Sequence, residues 1–201
     1  MCSSDLERLG ENIRTAMTGT SGGALYTLTC ACFIPEIVCA AVCSPFDHMM
    51  EGTAYLDDAV EVKNIALSGR SSKSYTTEPQ YKELTGGMQK GDFLLIGFGH
   101  NDEKTEEARF TSARGDYKTA GSFAASLYDN YIVPAQKAGC QVILCTPIVR
   151  RTKTGEWNAQ DLHVTQDFGT YPGGDYPQAV RELGKTLGLP VVDMTKMTKA
   201  L

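Results

Sequence analysis

The chain has 201 residues, a length typical of one domain that can bury a substantial hydrophobic core. Hydrophobic residues make up 42% of it and charged residues 21%, the composition of an ordinary soluble globular protein. The formal net charge of −5, without any run of five like charges, argues against the broad basic surface that nucleic acid requires. No nucleic-acid partner is therefore expected.

Seven cysteines are distributed unevenly, without the spacing of a disulfide framework. Cys30, Cys32, Cys39 and Cys43 are interspersed with apolar residues, whereas zinc sites usually show C-x2–4-C pairs flanked by turn residues. We therefore expect mostly reduced thiols, no metal and no cofactor. This usage favours a reducing compartment, although the sequence leaves cytoplasmic and secreted locations both open.

The N-terminal part of the chain has an unusual composition. Residues 24–46 contain no Lys or Arg and have the length of a membrane span or of the apolar part of a signal peptide. Pro35 and Glu36 interrupt the centre, and a carboxylate in mid-bilayer is costly, so a core strand or helix is favoured and no membrane is expected as a partner. We interpret residues 1–55 as an atypical segment, non-native or garbled, and residues 56–201 as the domain.

The first elements of this domain are a strand, a turn, a helix and a second strand. Alternating apolar residues predict a strand over 60–67, followed by a turn over 68–72. Helical spacing predicts a helix over 78–88. The run FLLIGF over 93–98 is bounded by glycine and polar residues, as expected for a parallel strand covered on both faces.

The second half continues to alternate between helices and strands. The pattern predicts a helix over 117–138, a strand over 141–145, a helix over 175–187, a strand over 189–192 and a helix from 194 onward. Pro134 is expected to kink the first of these helices, because proline lacks the backbone N–H. Asp175 is expected to cap the helix over 175–187, since its carboxylate can accept a hydrogen bond from a backbone N–H of the first turn.

This order of elements is typical of a doubly wound parallel α/β sheet. Ligands of such sheets bind beyond the carboxyl ends of the strands. The loops 68–72, 99–103 and 146–151 each follow a predicted strand, so we expect them to meet at one edge. The polar residues of GFGHNDEK, 97–104, would then face a cleft and not the core.

Four segments resemble blocks of the SGNH/GDSL hydrolases, most closely the rhamnogalacturonan acetylesterase-like branch. They are NIALSGRSSKSY (64–75), GDFLLIGFGHNDEK (91–104), VILCTPIVRR (142–151) and GDYPQAVREL (174–183). The resemblance covers about residues 60–201. It implies a flavodoxin-like, three-layer α/β/α sandwich with a mainly parallel sheet, incomplete at both ends. It also implies removal of acetyl groups from a pectic polysaccharide by Ser-dependent acyl transfer.

The same resemblance implies that Gly69 and Asn101 form an oxyanion hole, through a backbone N–H and a side-chain amide. Ester hydrolysis builds negative charge on the carbonyl oxygen, which fixed N–H donors stabilise. A plain turn glycine and a strand-end cap are the alternatives. Asp102 is expected to hold its loop through backbone N–H groups. Contact with an acetylated carbohydrate substrate is expected from Arg70, Lys73, His100, Arg150 and Arg151, which are otherwise ordinary loop residues.

The sequence lacks the motifs that carry the family's catalytic residues. The family's nucleophilic Ser lies in a Gly-Asp-Ser motif, which occurs nowhere here. Its Asp and His lie in a D-x-x-H block downstream of the strand that ends at Val192, and the chain reaches Leu201 before such a block. Possible substitutes are Ser21, in the G-x-S-x-G pattern of GTSGG, and the pair Asp161 and His163. Both segments are more typical of solvated loops than of catalytic sites.

We therefore expect negligible esterase activity from these 201 residues. The alternative is a non-catalytic sugar-binding module that uses the same cleft. A phosphate or nucleotide binder is disfavoured, because SGRSSKS lacks the glycine spacing of the nucleotide-binding motifs.

Overall fold

The structure, a computed structural model, describes residues 18–20, 41–43, 63–150 and 155–200. Its strands are β1 (Thr18–Thr20), β2 (Ala41–Cys43), β3 (Phe93–Gly97), β4 (Gln141–Cys145) and β5 (Val191–Val192). Its α-helices are α1 (Pro79–Gly87), α2 (Phe123–Leu127), α3 (Val133–Ala138), α4 (Tyr176–Leu187) and α5 (Met194–Lys199). Short 3-10 turns lie at Ser74–Thr77 and Gln160–Leu162, and a π-helical turn at Tyr128–Ile132 joins α2 to α3.

Strands β3, β4 and β5 form a parallel sheet in that order. Strands β1 and β2 pair with each other, also in parallel, and β1 lies close to β3. Because parallel neighbours require a crossover, helices intervene between β3 and β4 and between β4 and β5. This arrangement confirms the α/β class predicted from the sequence.

The apolar run of β3 is buried on both faces, which explains its continuous hydrophobicity. Leu94 and Ile96 belong to the main core, together with Val142 and Leu144 of β4. Helices α2, α3 and α4 contribute their apolar stripes to the same core. The neighbouring residues Phe93 and Leu95, which alternate with them along the strand, are equally buried.

A proline is accommodated inside the long helical segment by a π-helical turn and a tyrosine. Pro134 carries no N–H, so it cannot donate to the carbonyl of Asn130, four residues earlier. The hydroxyl of Tyr81 on α1 donates to that carbonyl at 2.9 Å. A π-helical turn thus ends just before α3, which contains Pro134, and α1 supplies the donor that the proline lacks.

We expect Tyr81→Phe to lower the free energy of unfolding by about 1 kcal/mol, because it leaves the Asn130 carbonyl without its donor. Urea denaturation of the wild type and the variant measures this difference. Tyr128→Phe is the matched control, since the Tyr128 hydroxyl has no hydrogen bond within the described part of the chain. Equal losses in the two variants would contradict the role given to Tyr81.

One helix begins at its predicted capping residue, and another begins later than predicted. The side chain of Asp175 accepts from the backbone N–H of Gln178 at 2.8 Å and so begins α4, as predicted. The predicted helix over 117–138 begins only at Phe123, because Ser122 caps it through the N–H of Ala125.

The strand predicted over 60–67 is wrong for residues 63–67, which have no strand pairing. The hydroxyl of Tyr75 donates to the carbonyl of Ile65 at 2.5 Å, so a side chain takes the place of a strand neighbour. Ile65 and Leu67 still pack against the core. Residues 60–62 and the predicted boundary at 55/56 lie outside the described residues.

Candidate active site

The loop at 99–103 follows β3 and the loop at 146–150 follows β4, so both lie at the carboxyl edge of the sheet. The loop at 146–150 meets the loop at 99–103 through a bond from Arg150 to Glu103. The turn at 68–72 meets the loop at 99–103 through two contacts. Asn101 Nδ2 donates to the carbonyl oxygen of Arg70 at 3.2 Å, and the N–H of Ser72 donates to Asp102 Oδ1 at 3.0 Å. The edge predicted for ligand binding therefore brings the three loops into one neighbourhood.

Gly69 and Asn101 lie on neighbouring loops at this edge, which we call the cleft because the sequence predicted one here. Gly69 has φ +78 and is exposed, and apart from its chain neighbours no atom lies within 4 Å of the position that a Cβ would occupy. Asn101 is only 7% exposed. One of its two amide hydrogens bonds to Arg70, and the other has no hydrogen-bond partner among the described residues. The structure thus brings together the backbone around Gly69 and a side-chain amide that retains a donor.

Arg109 fixes the orientation of that amide, and no sequence signal pointed to it. Its Nη1 lies 3.3 Å from Asn101 Oδ1 and 3.5 Å from the carbonyl oxygen of Gly69. Glu106 holds the guanidinium group from the other side, with Arg109 Nε 3.0 Å from its Oε2. Because a guanidinium group only donates, it selects the orientation in which the Asn101 oxygen faces Arg109 and the NH2 group faces Arg70.

Asp102 is fully buried beneath this cleft and joins two of its loops. Its carboxylate accepts from the backbone N–H groups of Ser72 and Gly99, both at 3.0 Å, and from the Thr111 hydroxyl at 2.9 Å. The Ser72 hydroxyl donates to it as well, at 2.5 Å. Burial raises the pKa of Asp102 to about 6, and these hydrogen bonds act against that rise. The predicted bonding of Asp102 to backbone N–H groups is confirmed.

Two of the cations expected to contact substrate have structural partners. Arg70 Nε lies 2.8 Å from Glu78 Oε1, and its Nη1 donates to the carbonyl of Ser68. Lys73 Nζ donates to the carbonyl of Glu107 at 2.6 Å. Arg151 lies outside the described residues.

A buried polar cluster adjoins the cleft on the side of β4. His163 is fully buried, which corrects its interpretation as a solvated loop residue. Its Nε2 lies 2.6 Å from the carbonyl oxygen of Ile148 and therefore carries the ring hydrogen. Its Nδ1 lies 3.2 Å from Glu103 Oε2, and Arg150 Nη2 bonds to the other oxygen of Glu103.

His100 lies at the edge of this cluster, with its ring centroid 5.3 Å from that of His163. Burial lowers the pKa of His100 to about 3, and the charge of Arg150 and then those of His163 and Lys104 act in the same direction. Burial also lowers the pKa of His163 to about 4; the bond to the Ile148 carbonyl opposes this, and the charges of Arg150 and Lys104 add to it. Both rings are therefore neutral at pH 7.

No replacement for a catalytic serine and its base is seen in the described residues. Ser71 and Ser72 are fully buried and hydrogen-bonded. The carboxylate of Asp161 accepts from the backbone of Asn158 and has no bond to His163. Ser21 follows directly after β1 but lies outside the described residues.

No group of three or more His, Cys, Asp or Glu side chains among the described residues is arranged to hold a metal ion. The cysteine cluster at 30–43 lies outside the described side chains, whereas the side chains of Cys140 and Cys145 are buried. No described helix has both the length and the apolarity needed to span a bilayer.

Comparison with known proteins gives sequence relatives and a fold relative, although no family model matches. Rhamnogalacturonan acetylesterase RhgT of Bacillus subtilis is 29% identical over 164 residues, which cover 79% of this chain and 62% of that protein. The rhamnogalacturonan acetylesterase of Emericella nidulans is 44% identical over 50 residues, covering 24% of this chain and 20% of its own length.

The probable rhamnogalacturonan acetylesterase YesY of Bacillus subtilis is 30% identical over 98 residues, covering 48% of this chain and 42% of that protein. The chain thus spans less than two thirds of the length of each of these relatives. Protein YXIM_BACsu of Bacillus subtilis has a similar fold, with a TM-score of 0.57 and 16% identity over 94% of this chain and 45% of that one. These comparisons confirm that the chain is similar to rhamnogalacturonan acetylesterases.

Proposed function

We propose that the cleft binds an acetyl ester of a rhamnogalacturonan-type polysaccharide and stabilises the oxyanion of its hydrolysis. Gly69 N–H and Asn101 Nδ2 are the proposed donors, and His100 and Arg150 contact the sugar. The observation that supports this assignment is the Asn101 amide, which Arg109 orients and which keeps a free N–H beside the backbone of Gly69 and Arg70.

This arrangement suits acyl transfer because the donors are fixed before the substrate arrives. A donor aimed at the developing oxyanion contributes roughly 3–4 kcal/mol to stabilisation of the transition state. Asn101 is buried, so its remaining N–H lies where water screens it little. Gly69 lacks a Cβ and has open space around it, which leaves room for an acyl group at its N–H.

Binding of acetate, the acid released from such an ester, tests the two donors. We expect sodium acetate to shift the NMR signals of the Asn101 side-chain NH2 and the Gly69 amide together, with millimolar affinity. Asn101→Ala should abolish saturation at Gly69, and Asn64→Ala, on an exposed site, should leave it unchanged. Saturable shifts that persist at Gly69 in Asn101→Ala would contradict a shared oxyanion site.

We further propose that these 201 residues do not turn over esters by themselves. We expect this because the sequence has no Gly-Asp-Ser motif and because Ser71 and Ser72, which lie near the proposed site, are fully buried. No release of acetate above buffer is expected from acetylated rhamnogalacturonan or p-nitrophenyl acetate. Release that disappears in Asn101→Ala would disprove this and reveal a nucleophile elsewhere in the chain.

A non-catalytic sugar-binding role is a second candidate, favoured by Arg150, whose side chain is 28% exposed beside the loop that carries Asn101. Its Nε is buried and has no hydrogen-bond partner among the described residues. Calorimetry with acetylated and deacetylated oligosaccharides separates the two roles. Equal affinity for both indicates a binding module, whereas tighter binding of the acetylated form indicates a site built around the ester.

A further inference from the structure

We infer that Phe110, Tyr171 and Phe168 form an aromatic platform that stacks against a pyranose ring of a bound polysaccharide. This inference rests on the proposed function for the nature of the ligand, a sugar polymer. Three features of the structure support the platform itself: the backbone pairing of a hairpin, the contact of that hairpin with the candidate site, and the exposure of its outer ring.

A tight hairpin carries two of the three rings. Phe168 and Tyr171 are paired in the antiparallel sense, and the backbone N–H of each donates to the carbonyl of the other at 2.9 Å. Gly169, one of the residues between them, has φ +57, as the tight loops of such hairpins require. Side chains directly opposite each other in an antiparallel pair lie on the same face, so the two rings are neighbours.

Tyr171 connects this hairpin to the candidate site through Phe110. The centroids of these two rings lie 4.9 Å apart with their planes at 71°, an edge-to-face contact. Phe110 directly follows Arg109, whose guanidinium group bonds to Asn101 and to the carbonyl of Gly69. The platform therefore begins beside the proposed oxyanion site and leads away from it toward Phe168.

The outer ring is exposed although its loop is firmly held. Phe168 is 67% exposed, whereas the other two rings are half-buried. The adjacent Asp167 accepts from the backbone N–H of Gly173 at 2.8 Å and pairs with Arg114. A ring presented on a fixed backbone binds a ligand at a small cost in conformational entropy, because little has to be ordered on binding.

A pyranose ring suits this surface because it combines apolar faces with a polar rim. Its C–H groups carry partial positive charge, and the face of an aromatic ring carries partial negative charge, so the two attract each other when stacked. The Tyr171 hydroxyl has no hydrogen-bond partner in the described part of the chain, so it can bond to a sugar hydroxyl. The platform would thus hold a sugar unit next to the one that carries the ester.

Aromatic side-chain NMR of the full chain, titrated with a rhamnogalacturonan oligosaccharide, tests the platform. We expect the ring signals of Phe168 and Tyr171 to shift together and to saturate. Absence of saturable shifts at these rings overturns the inference, whatever the Asn101 signal does. Ring signals that change with protein concentration but not with the oligosaccharide also overturn it, because the patch would then bind a second copy of the chain.

Variants at Phe168 separate stacking from a general apolar contact. We expect Phe168→Ala to weaken oligosaccharide binding by about threefold to tenfold and Phe168→Trp to keep the wild-type affinity. Phe168→Leu retains an apolar side chain without a ring face, so it should bind as weakly as Phe168→Ala. Wild-type affinity in Phe168→Leu would overturn the stacking role. Met197→Ala is the control, since Met197 on α5 is also exposed, and it should bind as the wild type does.

The acetate titration keeps this test separate from that of the proposed function. Phe168 is exposed, so its variants should fold, and unchanged acetate binding at Asn101 in each of them supports a role confined to the platform. Ring shifts that persist in a chain that does not bind acetate would contradict the oxyanion site and support the platform. Acetate binding without ring shifts would contradict the platform alone.

Discussion

Asp102→Ala is expected to lower the free energy of unfolding by about 3–5 kcal/mol, because it leaves several buried hydrogen-bond donors without an acceptor. The N–H groups of Ser72 and Gly99 and the hydroxyl of Thr111 all donate to this one carboxylate. The side chain is fully buried, so water cannot replace it without opening the cleft. Relief of the buried charge offsets part of the loss.

Urea denaturation measures this loss, and two further variants define its origin. Asp102→Asn keeps an acceptor oxygen but turns a donating NH2 group toward one of the partners, so we expect about 1–3 kcal/mol. Asp167→Ala removes an exposed aspartate that pairs with Arg114, and it should cost less than about 1 kcal/mol. An Asp102→Ala variant as stable as Asp167→Ala would show that this network does not hold the loops.

The stability of the chain is expected to fall as the pH drops from 6.5 to 5. His100 and His163 have folded pKa values of about 3 and 4, below the ordinary 6.5, so they take up protons on unfolding in this range. Asp102 has a folded pKa of about 6, above its ordinary 3.8, so it releases a proton on unfolding there. Unfolding thus takes up two protons and releases one, a net uptake of about one proton. The free energy of unfolding should therefore fall by about 1.4 kcal/mol for each pH unit.

Replacing one histidine should cancel this dependence. In His100→Asn, the proton that His163 takes up on unfolding nearly balances the proton that Asp102 releases. The free energy of unfolding should therefore be nearly independent of pH between 5 and 6. His100 is suitable because its ring makes no hydrogen bond to other described residues. Chemical denaturation at several pH values measures both slopes. A steeper slope in His100→Asn than in the wild type would contradict the assignment of neutral histidines.

The sheet and its helices could be predicted from periodicity because burial sets that pattern directly. Strand β4 matches its predicted bounds, and α4 begins after the predicted cap at Asp175. Residues 63–67 could not be assigned correctly in this way, since alternation reports a buried face and not a strand partner. Their carbonyl at Ile65 is taken by the Tyr75 hydroxyl, a contact that no local pattern shows.

Site residues in loops that directly follow strands could be predicted from the sequence. Contacts between side chains that are distant in the chain could not. Gly69 and Asn101 were identified from the motifs of the two loops, and their catalytic roles stay predictions. Arg109 was missed because its loop has neither periodicity nor motif, yet it orients Asn101. His163 was read as a solvated residue, since a polar loop sequence does not show that Glu103 lies beside it.

The bond between Tyr81 and the carbonyl of Asn130 links two positions that are far apart in the chain. Proline at 134 creates the need for a donor, and the hydroxyl at 81 meets it. In homologous chains the two sites should therefore evolve together: where a non-proline residue restores the helical N–H, phenylalanine at the other site becomes neutral. A recombinant that takes proline at 134 from one parent and phenylalanine at 81 from another should therefore lose about 1 kcal/mol of stability.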